Sequence, residues 1–322
     1  MPVPVLLALL AVASCTHVES DDAPRVNLIT GSTGSSWYSI GSAIAERTNL
    51  AFEGHPITAV PGAGGISNPA RIARAPGDLG LSFLPFLRAA YRGDAPYIEA
   101  YPDLRHVATL IENKLHLLVS ERLDAADFAE IRDRRLAIRV ATGPPGSGEE
   151  FLLRAVMAQH GITYDDIRRW GGRIDLLGTG ERADAWRDYR ADIIAFSIND
   201  PAPVVAELLA TRGGKLWPVA PEVRHALRET WRVRDLIIPP GTYGDQQEAI
   251  ETIGLPFVVF TTIDVDSRLI YELTRTMAEN KPYFDNVHAG FHVWEPHMMT
   301  AHDDVPLHEG AARYYRERGW IQ

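Results

Sequence analysis

Apolar residues along the chain fall into two alternating rhythms. Short apolar runs bounded by Gly, Pro and Ser predict strands at residues 26–30, 56–60, 79–84, 136–140, 174–177 and 193–197. Between them the spacing becomes helical. Trp37, Ile40, Ile44 and Ala45 share one face, and Phe151, Leu152, Ala155 and Val156 share another that ends at Gly161. Further helices are predicted from Asn68-Pro69, as N-cap and first helical residue, over 85–91 and through Trp186, with another apolar stretch at 204–209. Strands alternating with helices imply mainly parallel sheets covered on both faces. Two extended apolar runs, 115–120 and 256–262, are natural crossings between two lobes. The expected fold class is therefore α/β, with two parallel-dominated lobes joined by crossing strands. Residues 26–117 plus 256–322 would form lobe 1, and 118–255 lobe 2.

One unit occurs twice. A strand ending in Ile29-Thr30 runs through Gly31-Ser32-Thr33-Gly34-Ser35-Ser36 into a helix. A strand ending in Val140 runs through Gly143-Pro144-Pro145-Gly146-Ser147-Gly148 into another. The first N–H groups of a helix have no partner inside it, and its dipole leaves about half a positive charge there. A Gly/Ser turn admits close approach and adds hydroxyl donors, so it suits a carboxylate or phosphate. An isolated turn of this kind reads equally as a plain N-cap. A pair of them, one per lobe, would clamp a small molecule with two acceptor ends. Neither turn ends in the Gly-Lys-Ser/Thr of a P-loop, and neither has the glycine spacing of a dinucleotide site.

Composition narrows the ligand class. A formal net charge of −10 argues against nucleic acid and against broad adhesion to anionic lipid heads, while 46% hydrophobic residues are enough for proper cores. The first 14 residues carry no charge, and their apolar run is too short to span a bilayer. That run ends in Val12-Ala13-Ser14-Cys15, an order similar to a bacterial lipobox. Residues 1–15 are accordingly expected to be a lipoprotein signal with Cys15 as the lipidation site, and 16–25 a polar tether. Cys15 is the only cysteine, so no intramolecular disulfide or Cys-rich metal site exists. The expected location is extracytoplasmic, in the periplasm, with a lipid anchor to the membrane.

The stretch Ile29 to Gly41, containing Gly31-Ser32-Thr33-Gly34-Ser35-Ser36-Trp37-Tyr38, resembles the opening motif of the TAXI family. These TRAP-associated extracytoplasmic immunogenic proteins are solute receptors of tripartite ATP-independent periplasmic (TRAP) transporters. Gly64-Gly65-Ile66-Ser67-Asn68, Gly77-Asp78-Leu79-Gly80, the Gly143 to Gly148 turn, Gly161 to Ile167, Ile238 to Tyr243 and the ending His308 to Tyr315 follow in family order. The resemblance implies a bilobal, type II-like periplasmic-binding-protein fold that closes on its ligand. It implies TRAP membrane permease subunits as partners, ion-coupled uptake, and small carboxylates such as glutamate or 2-oxoglutarate as ligands. Two departures from the family pattern, Ser82-Phe83-Leu84-Pro85-Phe86 and Asn199-Asp200-Pro201, fall at the expected cleft and imply a bulkier or more apolar carboxylate.

The candidate ligand-binding residues are Ser32, Thr33, Gly34, Ser35, Ser36, Tyr38, Gly65, Asn68 and Phe83 on one lobe, with Gly146, Ser147, Gly148 and Asp200 on the other. Tyr38 is preferred to Trp37 for the cleft because its hydroxyl gives a polar end. With no arginine in either turn, neutral donors and helix dipoles are expected to carry the charge complementarity. His288, His292, His297, His302 and His308 cluster in sequence, and His288 and His292 could share a helix face, but no His-Glu-x-x-His motif accompanies them. No nucleophile elbow is present either. The expected protein is a monomeric binding receptor for a small anionic solute, without catalytic residues, metal or cofactor. A periplasmic sensor for a signalling partner and a metal-dependent enzyme using the His-rich segment are the alternatives.

Overall fold

The computed structural model describes residues 25–322. The expected signal with Cys15, and residues 16–24 of the expected tether, lie outside the described residues. The first lobe opens with β1 (Val26–Ile29), α1 (Ser36–Asn49), β2 (Ile57–Val60), α2 (Ser67–Arg74), β3 (Leu79–Phe83) and α3 (Leu84–Arg92). The long strand β4 (Leu104–Val119) leads into α4 (Phe128–Arg134), β5 (Arg139–Thr142), α5 (Gly148–Gln159), α6 (Tyr164–Arg169), β6 (Arg173–Leu176), α7 (Thr179–Arg187) and β7 (Ile193–Ile198). Then come α8 (Pro203–Arg212), β8 (Lys215–Trp217), α9 (Pro221–Trp231) and β9 (Arg234–Ile238). A second long strand, β10 (Ile250–Thr262), returns to α10 (Ser267–Glu279), α11 (Lys281–Val287) and α12 (Glu309–Glu317), and α10 and α11 pack on α1. No described helix is long and apolar enough to cross a membrane.

All ten strands join one sheet in the order β2-β1-β3-β10-β4-β7-β5-β6, with β8 beside β4 and β9 beside β10. The outer trios, β2-β1-β3 and β6-β5-β7, are parallel, as βα alternation requires. The centre is antiparallel. β10 runs against both β3 and β4, and β4 against β7. The fold is thus α/β and two-lobed, but its sheet is mixed because the returning strand comes back alongside the departing one. The lobes part along β4 and β10, near Lys114 and Gly254. There β4 exchanges its β10 partner for β7, and β10 pairs with β9. Predicted crossings at 115–120 and 256–262 are the far ends of strands that both begin earlier.

One predicted strand shifts. Residues 136–138 close the preceding helix instead, because Arg135 takes a left-handed conformation at φ 51° and the Leu136 N–H bonds the Ile131 carbonyl at 3.0 Å. The sheet is entered only at Arg139, whose guanidinium is held by Asp192.

Buried polar side chains brace the crossing strands. The His116 Nε2 faces the Tyr243 hydroxyl at 2.9 Å, and that hydroxyl accepts the Ala202 N–H at 2.9 Å. His106 lies against Thr109 at 3.0 Å. Burial, the main cause, pushes His116 down to about 4 and His106 down to about 3. A depressed imidazole leaves stability untouched above its unfolded value of about 6.5. Below it, each pH unit costs about 1.4 kcal/mol per ring until the folded value is reached. Stability is therefore expected to fall by roughly 4 kcal/mol between pH 6.5 and 5 from these two rings. Urea midpoints across that range measure it, and His116→Gln should remove about half of the slope. A flat profile would show that neither ring resists protonation.

Candidate functional site

Six strand ends converge on one cleft of about 480 Å³. Its lining comes from the segments after β1, β2, β5 and β6 and from the ends of β3 and β7, all carboxyl ends of strands. Open α/β sheets bind their ligands there, and the volume suits a small molecule.

The two Gly/Ser turns are local copies of one another. In each, a glycine with positive φ (Gly34 at 81°, Gly146 at 84°) precedes the N-cap serine. The caps match closely, Ser35 at φ −80°, ψ 156° and Ser147 at φ −78°, ψ 159°. The Ser35 and Ser147 N–H groups close the turns onto the Ser32 and Pro144 carbonyls, each at 3.0 Å. Each serine hydroxyl then accepts the N–H three residues on, Tyr38 at 3.3 Å and Glu150 at 3.4 Å. A side chain with a Cβ resists positive φ, so glycine aims both helices at the cleft. A third helix, α7, starts at the same wall with Gly178 and Thr179.

The candidate residues divide accordingly. Ser32, Gly34, Ser35, Ser36, Gly65, Phe83, Ser147 and Gly148 line the cleft. Thr33 is exposed and off the lining, and Gly146, also off it, accepts the Ile66 N–H on its carbonyl at 3.2 Å. Three further candidates lie off the lining. Trp37 lines the cleft and Tyr38 does not, because the indole packs onto Phe83 and Phe257 at 4.7 and 4.5 Å between ring centres. Asn68 lies inside α2, fully buried, its amide donating to the Thr30 and Leu81 carbonyls at 3.0 and 2.8 Å. Asp200 is held 2.6 Å from Lys114 on the crossing strand, away from the lining.

Sequence reasoning missed the charged pair. Arg182 in α7 is 2% exposed and lines the cleft, bonded to Glu149 at 2.6 Å, the Ala195 carbonyl at 3.2 Å and the Thr179 hydroxyl at 3.1 Å. Its guanidinium lies 4.7 Å from the centre of the Phe196 ring. The Arg182 Nε and the Ser197 Oγ are buried without a hydrogen-bond partner. A residue outside both turns thus brings a formal positive charge to the site.

The lobes meet across the mouth. A Cβ on Gly148 would fall 2.4 Å from the Phe83 ring and one on Gly65 2.8 Å from it. Phe86 of lobe 1 packs edge-on against Phe151 of lobe 2 at 4.6 Å. The histidines lie elsewhere and bond locally. His288 and His308 accept the N–H groups of Gly290 and Gly310, and His292 and His302 face the Asp285 and Thr300 carbonyls. His288 and His292 share no α-helix face, because α11 ends at Val287 and a 3-10 turn follows over Ala289–Val293. Among the described residues no group of three such ligands could hold a metal.

A two-lobed α/β chain with a small-molecule cleft at the carboxyl ends of its parallel strands is built as the extracytoplasmic solute-binding proteins are. The chain belongs to the NMT1-like family, whose model matches residues 28–319. MatC from Rhodopseudomonas palustris, solved with bound malate, shares the fold at a TM-score of 0.55 and 16% identity, over 92% of this chain and 97% of its own. The periplasmic binding protein BugD does so at 0.54 and 12%, over 93% and 95%.

Proposed function

We propose that the protein is a periplasmic receptor that captures a small carboxylate between its lobes, performs no reaction on it, and hands it to a TRAP-type membrane permease. The observation that carries this reading is the pair of matched Gly/Ser turns, one per lobe, each aiming a helix N-terminus at one cleft. Helix N-termini hold anions through free N–H groups, and a ligand touching both lobes favours the closed form. MatC, with its bound malate, supports a carboxylate as the solute class. The order of TAXI-like motifs from Gly31 to Tyr315 supports the permease class, and the lipobox-like Cys15 supports anchoring at the membrane.

Calorimetry on the refolded, ligand-free protein against malate, adipate, hexanoate and norleucine tests the reading. At least one is expected to bind one-to-one, unchanged after hours of incubation. A hundredfold excess over Kd should stabilise the fold by about 2.7 kcal/mol. Absence of binding by the whole panel, or conversion of the bound compound, would overturn it.

A further inference from the structure

We infer that the cleft selects a monocarboxylate with an apolar body over a dicarboxylate or an amino acid, and that the Arg182–Glu149 pair sets this choice. The inference rests on the receptor reading and deepens it. Two residues of the cleft wall each keep a buried polar atom with no partner, the Arg182 Nε–H and the Ser197 hydroxyl. A buried donor without an acceptor is destabilising, and native structures keep few of them. A carboxylate oxygen brought against the Arg182 Nε–H would supply the acceptor it lacks. No anionic side chain fills that role. Glu149 engages the guanidinium at Nη1, and Thr179 and the Ala195 carbonyl take its other bonds.

Charge then limits the ligand to one anionic end. Among the described residues, Arg182 and Glu149 are the only formally charged side chains lining the cleft, and they neutralise each other. What remains is the partial positive charge of the helix N-termini, about half a unit each. That supports one carboxylate. A second would leave water for side chains such as Trp37, Phe83, Phe196 and Ile198, with no cation to meet it. An α-ammonium group would lie beside the guanidinium, and the carboxylate that could receive it is already paired. An alkyl or aryl body instead fits those apolar side chains.

Three six-carbon probes isolate the point, since hexanoate, adipate and norleucine differ only by a terminal carboxylate or an α-ammonium. By calorimetry on the whole protein, hexanoate is expected to bind at least about tenfold more tightly than either of the others. Glu149→Gln leaves the guanidinium uncompensated, so adipate should gain about tenfold relative to hexanoate. Adipate or norleucine binding as tightly as hexanoate in the unaltered protein would overturn the inference while leaving the receptor intact, and so would an unchanged ratio in folded Glu149→Gln. If neither these probes nor malate binds, the receptor reading falls as well. The comparison within the unaltered protein stands even if the variant fails to fold.

Discussion

Gly148→Val is expected to weaken carboxylate binding by about a hundredfold or more, which corresponds to about 2.7 kcal/mol removed from the closed state. Gly148 begins α5 at the lobe interface, and even a methyl there would stand 2.4 Å from one Phe83 ring carbon and 2.9 Å from another. The ring has nowhere to go. Trp37 packs at 4.7 Å, Phe86 at 6.0 Å and Phe257 at 6.5 Å between ring centres, and Phe83 is 2% exposed. Packed interiors resist such overfilling, so the lobes must part instead. Each lobe also has a buried cluster away from this contact, around Ile72 and Phe260 in one and Trp186 and Phe196 in the other, and the unfolding midpoint should therefore move little. Small-angle scattering should show a radius of gyration that no longer shrinks when the tightest carboxylate of the panel is added. Trimming the ring in the Gly148→Ala background with Phe83→Leu should recover part of the lost affinity. If Gly148→Val binds as the parent does, the cleft does not close along this contact.

The turns were legible in the sequence because everything that defines them is local. Gly34-Ser35 and Gly146-Ser147 carry their backbone conformation and their cap in adjacent residues, and the strand before and the helix after are short-range patterns. Arg182 was not legible, because in Glu181-Arg182-Ala183-Asp184 it reads as one more charge on a solvated helix face. Only the packing of α7 beside the start of α5 and the end of β7 turns that face toward Glu149 and Phe196. The crossing strands were half hidden for a similar reason. His106, Glu112 and Lys114 interrupt the apolar run of β4, although His106 is fully buried and Lys114 is paired with Asp200. Asp200 itself looked like a cleft residue because it follows β7 directly, yet the lysine on the neighbouring strand claims its carboxylate. Where side-chain partners are distant in sequence, periodicity registers the residue but not its direction.

Asn68→Ala is expected to destabilise the protein by about 3 kcal/mol while leaving ligand affinity within about twofold of the parent. In sequence, Asn68 follows a glycine-rich loop as the expected cap of a helix and is also a candidate ligand contact. In the fold it is fully buried, and its amide ties the end of β1 to β3 through the Thr30 and Leu81 carbonyls. Removing it strands two buried carbonyls, each costing about 1–3 kcal/mol, and alanine also leaves a void. For a chain of this size, that loss should lower Tm by roughly 5 °C. Asn68→Asp should be worse, since it deletes both donors and places a charge against backbone oxygens. The same geometry sets what the variant must not do. Asn68 does not border the cleft, and the Gly62 to Gly65 loop that does is held through other contacts, including the Gly62 N–H on the Gly31 carbonyl at 3.2 Å. Calorimetry below the lowered Tm separates the two roles. An Asn68→Ala protein of unchanged Tm that binds its carboxylate ten times more weakly would return this residue to the ligand, and the bracing of β1 against β3 would have to come from elsewhere.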